Sequence, residues 1–254
     1  MITIKNKTEL DIMRKAGEIV AIAHEEIRKN AKPGVTTKEL DRIAEEVIRT
    51  HNAIPSFKGY EGLPGAIDFP ASICASINEE VVHGIPSNRV LKDGDILSVD
   101  IGAYYGGYHG DAARTIPIGH VSKKALDLIE VTKQSFFEGM KMAVAGNRII
   151  DIAGAVQDYA EQYGYGVVRD YVGHGVGSEM HEDPSVPNYR TRFRGPRLQE
   201  GMTIAIEPML NMGTYKVRVL GNKWTVVTAD GELSAHYENT IAITQKEPII
   251  LTAL

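Results

Sequence analysis

Apolar positions in the first fifty residues recur at helical spacing. Ile12, Ala16, Ile19, Ala23 and Ile27 form one stripe, and Leu40, Ile43, Val47 and Ile48 form another. Steps of three and four place such residues on one helix face. Thr8 with Asp11, and Thr36 with Glu39, stand ahead of the stripes in the Ser/Thr-x-x-acid pattern of a capping box. The first helix is therefore expected from Thr8, and the second to end near residue 50. "KPG" at 32–34 separates them, and the Gly- and Pro-rich residues 51–72 read as a loop. The period then shortens. "SICASINEEVVHG" (72–84) and "DILSVDIGAYYGGYHGDAARTIPI" (95–118) read as strands joined by turns.

The same order then returns. A helix is expected from Ser122 to about 143, and a shorter one from 149 to 163, stopped by Gly164. Strands are expected at 166–172, 202–210 and 215–220, with a hairpin turning at Asp230-Gly231. A local echo supports duplication. "LKDGDILSVD" (91–100) and "LQEGMTIAIE" (198–207) share a leading Leu, an acid-Gly pair, apolar alternation and a final acid. No flexible linker divides the chain. The expectation is one catalytic-sized α+β domain over 1–254, with pseudo-twofold halves of about 1–120 and 121–254. Their strands should meet in one shared, mostly antiparallel sheet.

Composition narrows the function classes. At 254 residues, 43% hydrophobic and 24% charged, the chain has the make-up of a globular protein with a sizeable core. A net charge of −5 argues against non-specific nucleic-acid binding. The single cysteine, Cys74, excludes an intrachain disulfide framework and fits a reducing cytosol. The start "MITIKNKTELDIMRKAG" lacks the apolar core of a signal peptide, and no apolar run is long enough to span a bilayer. A cytoplasmic chain with no membrane partner is expected.

The echo makes Asp100 and Glu207 equivalent, and each half supplies a further acid, Asp111 in "HGDAART" and Glu238 in "HYENTIAI". Each half also holds an HG-aliphatic triplet, at His83 and at His174. If the hairpin after Asp100 is centred on Tyr105-Gly106, Asp100 and Asp111 face each other across the pair. Opposed Cβ atoms are about 4.5–5.5 Å apart. Two such carboxylates repel unless one is protonated or a cation lies between them. One Cys cannot build a thiolate zinc site, and the closely spaced acids of a calcium loop are absent. Four carboxylates with an imidazole favour two divalent ions by charge balance and suggest hydrolysis by an activated water.

The motifs "NEEVVHGIP" (78–86), "LSVDIG" (97–102), "YHGDAART" (108–115), "VGHGVGSEMHEDPSVPN" (172–188), "GMTIAIEPML" (201–210) and "YENTIAI" (237–243) together carry a resemblance. The chain resembles type I methionine aminopeptidases of the bacterial short form, with the pita-bread fold, over nearly its whole length. The resemblance implies five metal ligands: Asp100, Asp111, His174, Glu207 and Glu238. Asp111 and Glu238 would bridge two divalent ions, cobalt, manganese, iron or similar. Asp100 would complete one shell, and His174 with Glu207 the other. Glu207 would also be the catalytic base, while His83 and His181 would contact the scissile amide. Tyr60, Phe69, Cys74 and Trp224 would line the methionine side-chain pocket, with Met180 where an aromatic residue often lies. The implied substrate is a nascent polypeptide or peptide with a small second residue, with the ribosome as a further partner.

The glycines around His174 are expected to turn the backbone, so that His174 reaches metal and His181 faces substrate. His51, His109 and His120 are read as ordinary histidines. Three alternatives share the architecture. Prolidases and aminopeptidases P usually carry a domain ahead of the catalytic one, and non-catalytic pita-bread binding proteins lose ligands. A creatinase-like amidinohydrolase would lack the carboxylate quartet.

Overall fold

The computed structural model describes residues 1–62 and 64–254. The first half contains α1 (Lys7–Asn30), α2 (Thr37–Thr50), β1 (Ile54–Pro55), β2 (Ile73–Ile77), β3 (Glu80–Val82), β4 (Ile96–Tyr105) and β5 (Tyr108–Pro117). The second contains α3 (Lys123–Lys141), α4 (Ile149–Gln162), β6 (Gly166–Val167), β7 (Gly173–Gly175), β8 (Glu182–Val186) and β9 (Thr203–Ile206). It continues with β10 (Met209–Asn211), β11 (Val217–Val219), β12 (Val226–Thr228), β13 (Ser234–His236), β14 (Asn239–Ala242) and β15 (Ile249–Ile250).

The capping box of α2 is the expected one: the Thr36 hydroxyl accepts from Glu39 N–H, and the Glu39 carboxylate accepts from Thr36 N–H. That of α1 lies two residues earlier than Thr8–Asp11. Asn6 is the cap and Glu9 its partner, with bonds of 3.1 and 2.7 Å. The reason lies upstream. Lys5 N–H donates to the Gly201 carbonyl, and Lys5 forms a buried ion pair with Glu182, so the chain is already fixed when the helix starts.

The stripes of α1 and α2 cover one sheet, burying Val20, Ile27, Leu40 and Ile48 against Ile73, Val99 and Ile101. In the second half Phe136 and Ile152 pack on Ile204, Ile206 and Ile241 in the same manner. Side chains of this size stabilise by about 1.5–3 kcal/mol each when removed from water.

Among the described residues the strands form four small sheets rather than one shared sheet: β1-β4-β2 with β5 on β4, β13-β10-β6, β11-β12-β3, and β15-β14-β9-β7-β8. Every strand pairing is antiparallel. Where the halves meet, side chains take over from the backbone ladder. The Thr240 hydroxyl accepts from Asp111 N–H and donates to the Asp111 carbonyl, at 3.1 and 2.9 Å. Thr115 does the same for His236, at 2.8 and 2.9 Å. Glu238 N–H donates to the Ala113 carbonyl at 3.0 Å.

Four local expectations are corrected. The β4–β5 turn is Gly106-Gly107, with φ of 58° and 95°, so Asp100 pairs with Ala113, and Asp111 with Gly102. A two-residue turn with positive φ at both positions selects the Gly-Gly pair. Asp230-Gly231 does not make a hairpin, because β12 pairs with β11 and β3, whereas β13 pairs with β10. The Asp230 carboxylate accepts from Thr214 N–H and Glu232 N–H and sends the chain to another sheet. The expected strand 202–210 breaks into β9 and β10 at Glu207-Pro208, since proline has no N–H for a ladder. The 166–172 strand likewise shortens to β6.

Candidate metal centre and substrate pocket

The broken strand matters for chemistry. Glu207 leaves the end of β9 just where the ladder stops, and Glu238 occupies the gap between β13 and β14. Asp100 comes from the middle of β4, and Asp111 is its diagonal neighbour on the same face of β5. Diagonal residues remain within side-chain reach. His174 is the central residue of β7.

The five side chains converge on one cavity of about 760 Å³. His174 Nε2 lies 3.6 Å from Asp111 Oδ2 and 3.6 Å from Glu207 Oε1. Donor atoms of Asp111, His174 and Glu238 all fall within 4.8 Å of one another.

The segment around His174 is not the turned loop expected from its glycines. It is a strand, and Gly173 and Gly175 are there because backbone passes too close for a side chain. A Cβ on Gly173 would stand 2.3 Å from the Ala205 carbonyl oxygen, and one on Gly175 would stand 2.2 Å from that of Asp183. The glycines seat β7 tightly between β8 and β9, which fixes the imidazole between them. His174 Nδ1 is 2.8 Å from the Gly175 carbonyl oxygen. Donation there leaves the Nε2 lone pair facing the acids, the arrangement a ligating imidazole needs.

The electrostatics are severe. Burial holds the carboxyls of Asp100, Asp111, Glu207 and Glu238 well above the usual carboxylate range, and their mutual charge adds to it. Among the described residues, the basic side chains within 4.0 Å of these carboxylates are the imidazoles of His174 and His236. The Arg114 guanidinium is spent elsewhere. It donates to the carbonyls of Ala113 and Glu238 and to Asn239 Oδ1, and lies 4.4 Å over the Tyr237 ring. Burial, and then the neighbouring His181, lowers His174 to about 3, so the ring is neutral and free to ligate. Asp100 Oδ1, Asp111 Oδ1 and Glu238 Oε1 are buried without a hydrogen-bond partner. Such a cluster is costly unless a cation joins it. Hard carboxylate oxygens with one imidazole fit a divalent cation.

The cavity wall carries every expected pocket residue. Tyr60, Phe69, Cys74, His83, His181 and Trp224 all line it. Phe69, Cys74 and Trp224 form an apolar cluster with Phe57 and Met180. Phe69 meets Trp224 edge-on at 5.2 Å, and Trp224 Nε1–H donates to the Ile67 carbonyl. Cys74 is paired with Asp100 across β2 and β4, and burial followed by that charge raises its thiol.

His83 follows β3 with φ of 58°, an uncommon conformation for a residue with a side chain. Its ring is wedged against Tyr171 at 5.5 Å and Trp224 at 6.2 Å. Burial, followed by the His181 charge, lowers it to about 4. The His181 ring lies 4.3 Å from that of His174, tilted by 56°, and its Nδ1 lies 2.8 Å from the Tyr60 hydroxyl.

The three histidines read as ordinary do not line the cavity. His109 pairs with Ser56 Oγ, His51 with the Val47 carbonyl, and exposed His120 lies beside Asp93. Among the cavity-lining side chains that sequence reasoning passed over are Phe57, Tyr171 and His236. For His236 a signal existed, its alternation with Glu238 two residues later.

Comparison with known proteins places this geometry in a lineage. The chain is 61% identical over 253 residues to a protein named methionine aminopeptidase from Clostridium acetobutylicum, covering 99% of both. The crystal structure of methionine aminopeptidase from Thermotoga maritima superposes with a TM-score of 0.95 at 44% identity, covering 100% of both chains. An Xaa-Pro dipeptidase from Bacillus anthracis superposes with a TM-score of 0.76 at 26% identity, over 98% of this chain and 61% of that one. The fold is thus the α+β pita-bread arrangement. Residues 11–245 match the family described as Metallopeptidase family M24, and the chain belongs to that family.

Proposed function

We propose that this chain is a methionyl aminopeptidase that removes the N-terminal methionine from peptides whose second residue is small. The carrying observation is the set of five ligand-type side chains converging beside an apolar pocket. Asp100, Asp111, His174, Glu207 and Glu238 would hold two divalent ions. Cobalt, manganese and iron all suit that donor set. When bound, the ions supply Lewis acidity, lowering the pKa of a water and polarising the scissile carbonyl.

The chain's own residues do the rest. Phe69, Cys74 and Trp224 take the flexible methionine side chain. Glu207 accepts a proton from the attacking water and delivers it to the leaving amine. The Tyr60 hydroxyl donates to His181 Nδ1, which keeps the proton on His181 Nε2, free to donate to the developing oxyanion. His83, hemmed in by Tyr171 and Trp224, meets the amide nitrogen and leaves little room for a second side chain.

The whole chain, 1–254, would act as one catalytic domain of two pseudo-symmetric halves. Nascent chains at the ribosome are the proposed natural substrates, and the cytoplasm the proposed setting. No described helix is long and apolar enough to cross a membrane. A proline-specific activity is less well supported, since the similarity to an Xaa-Pro dipeptidase spans 61% of that chain.

The test compares Met-Ala-Ser with Gly-Pro and X-Pro peptides, using chelator-stripped protein reloaded with each divalent ion in turn. Methionine release from Met-Ala-Ser, dependent on added ion, is expected. Preferential cleavage of the proline peptides, or full activity without any ion, defeats the reading.

A further inference from the structure

One imidazole in the cavity has no part in the scheme above. His236 ends β13, two residues before Glu238, and is 2% exposed. Its backbone is held on both sides, by pairing with Met209 and by the Thr115 hydroxyl, which fixes where the side chain starts. Its Nε2 lies 3.9 Å from Glu207 Oε2 and 3.9 Å from Glu238 Oε2, and is a buried polar atom without a hydrogen-bond partner.

We propose that His236 is a positioning residue whose Nε2–H anchors the carboxylates of Glu207 and Glu238, setting both for metal binding and Glu207 for proton acceptance. The inference rests on the roles proposed above for those two acids. The chemistry of the contact argues for it. Ionised carboxylates only accept hydrogen bonds. An imidazole nitrogen that faces two acceptors must carry the ring proton to gain anything from them. The separation exceeds a hydrogen bond by about 1 Å, a gap that a small carboxylate rotation closes.

Position supports the same role. Glu207 precedes β10 and Glu238 follows β13, and these two strands pair with each other. The ring therefore stands where the paths of both acids converge. A donor shared by two acids from different strands would fix their relative placement, which neither backbone does alone. Partners of this kind behind ligating carboxylates usually matter by about 10- to 100-fold in metal affinity or activity.

Two substitutions separate positioning from simple core filling. His236→Gln places an amide N–H near the position of Nε2, and His236→Leu keeps bulk and removes the donor. The readouts are Mn²⁺ affinity, by calorimetric titration of chelator-stripped full-length protein, and kcat and KM on Met-Ala-Ser. The leucine variant is expected to bind Mn²⁺ about 10- to 100-fold more weakly and to lose kcat with little change in KM. The glutamine variant should stay within about 3-fold of wild type on both. Wild-type affinity in the leucine variant, or equal losses in both variants, overturns the assignment.

Should the leucine variant not fold, the wild type answers alone. Long-range ¹H–¹⁵N spectra of the Zn²⁺-loaded, histidine-labelled protein must place the His236 proton on Nε2, and a proton on Nδ1 overturns the proposal. Affinity and spectra need no peptide cleavage. A wild type that releases no methionine would therefore sink the proposed function and leave this inference to be judged on its own.

Discussion

Tyr60→Phe isolates one hydrogen bond with unusual cleanliness. The Tyr60 hydroxyl lies 2.8 Å from His181 Nδ1, while the two rings meet edge-on at 5.3 Å. Burial, and then the Glu179 charge, raises the phenol above its ordinary value, so it stays protonated and is the donor. Phenylalanine keeps the ring contact and deletes only the donor. The imidazole then no longer has its proton held on Nε2, where the proposed mechanism needs it. A neutral hydrogen bond is worth about 0.5–1.5 kcal/mol net, or roughly 2- to 12-fold in rate. Tyr60 is 39% exposed, so water partly replaces the lost donor and the lower part of that range applies. The expected fall in kcat on Met-Ala-Ser is about 2- to 4-fold, with KM little changed. A double-mutant cycle with His181→Ala decides the cause. If the hydroxyl acts through His181, Tyr60→Phe costs nothing further in the His181→Ala background. An undiminished cost there refutes the reasoning, as does a wild-type kcat in the single variant.

Three further outcomes follow from the same geometry. Glu207→Gln should lower kcat on Met-Ala-Ser by about 10²–10⁴-fold, the usual contribution of a positioned acid or base. A near wild-type rate removes Glu207 as the base. Gly175→Ala drives a methyl to within 2.2 Å of the Asp183 carbonyl oxygen, a backbone atom that cannot yield cheaply. A loss of about 1–3 kcal/mol or more in chemical denaturation is expected, with weaker divalent-ion binding as His174 moves. His24, whose Nε2 faces the Ala112 carbonyl, is lowered to about 3 by burial first and then by the charge of Arg114, with a smaller contribution from His236. Its unfolded form titrates near 6.5, so the unfolded chain binds the extra proton between those values, and stability falls as pH drops below about 6.5. At about pH 5 this single ring accounts for a loss of roughly 2 kcal/mol. His24→Gln should recover that much in denaturation curves taken at pH 5 and pH 7.5, and an unchanged pH slope counts against the assignment.

Much of the site was legible because side-chain periodicity survives errors of register. The expected hairpin centre was displaced, so the residue opposite Asp100 is Ala113 instead of Asp111. The displacement shifts partners by two, and a strand repeats its face every two residues. Asp111 therefore stays on the face of Asp100, and the inference that the two acids share a site holds although its stated geometry does not. The echo between 91–100 and 198–207 is structural as well as textual, since Gly94 and Gly201 both take positive φ, 96° and 85°, ahead of their strands. It misleads at its last position. Asp100 sits inside a long strand, whereas Pro208 ends the ladder immediately after Glu207.

What stayed illegible depends on contacts between distant segments. Glycine has two uses, positive φ and close approach, and composition alone does not separate them. Around His174 the second applies, because Asp183 and Ala205 pass within contact distance, and neither neighbour is visible from the local string. The division into four sheets is hidden for the same reason. Thr115 and Thr240 read as ordinary β-branched strand residues. In the fold their hydroxyls stand in for ladder bonds across the junction of the halves, on either side of the one backbone bond described there, from Glu238 N–H to the Ala113 carbonyl. That substitution has a chemical consequence. A continuous ladder from β5 into β13 and β14 would close the junction with backbone. Two hydroxyl bridges, at Asp111 and at His236, hold it together on either side of Glu238 and leave the carboxylates of Asp111 and Glu238 facing the same cavity. Replacing either threonine with valine keeps the shape and removes the bridge, so its effect should appear in divalent-ion affinity as well as in stability.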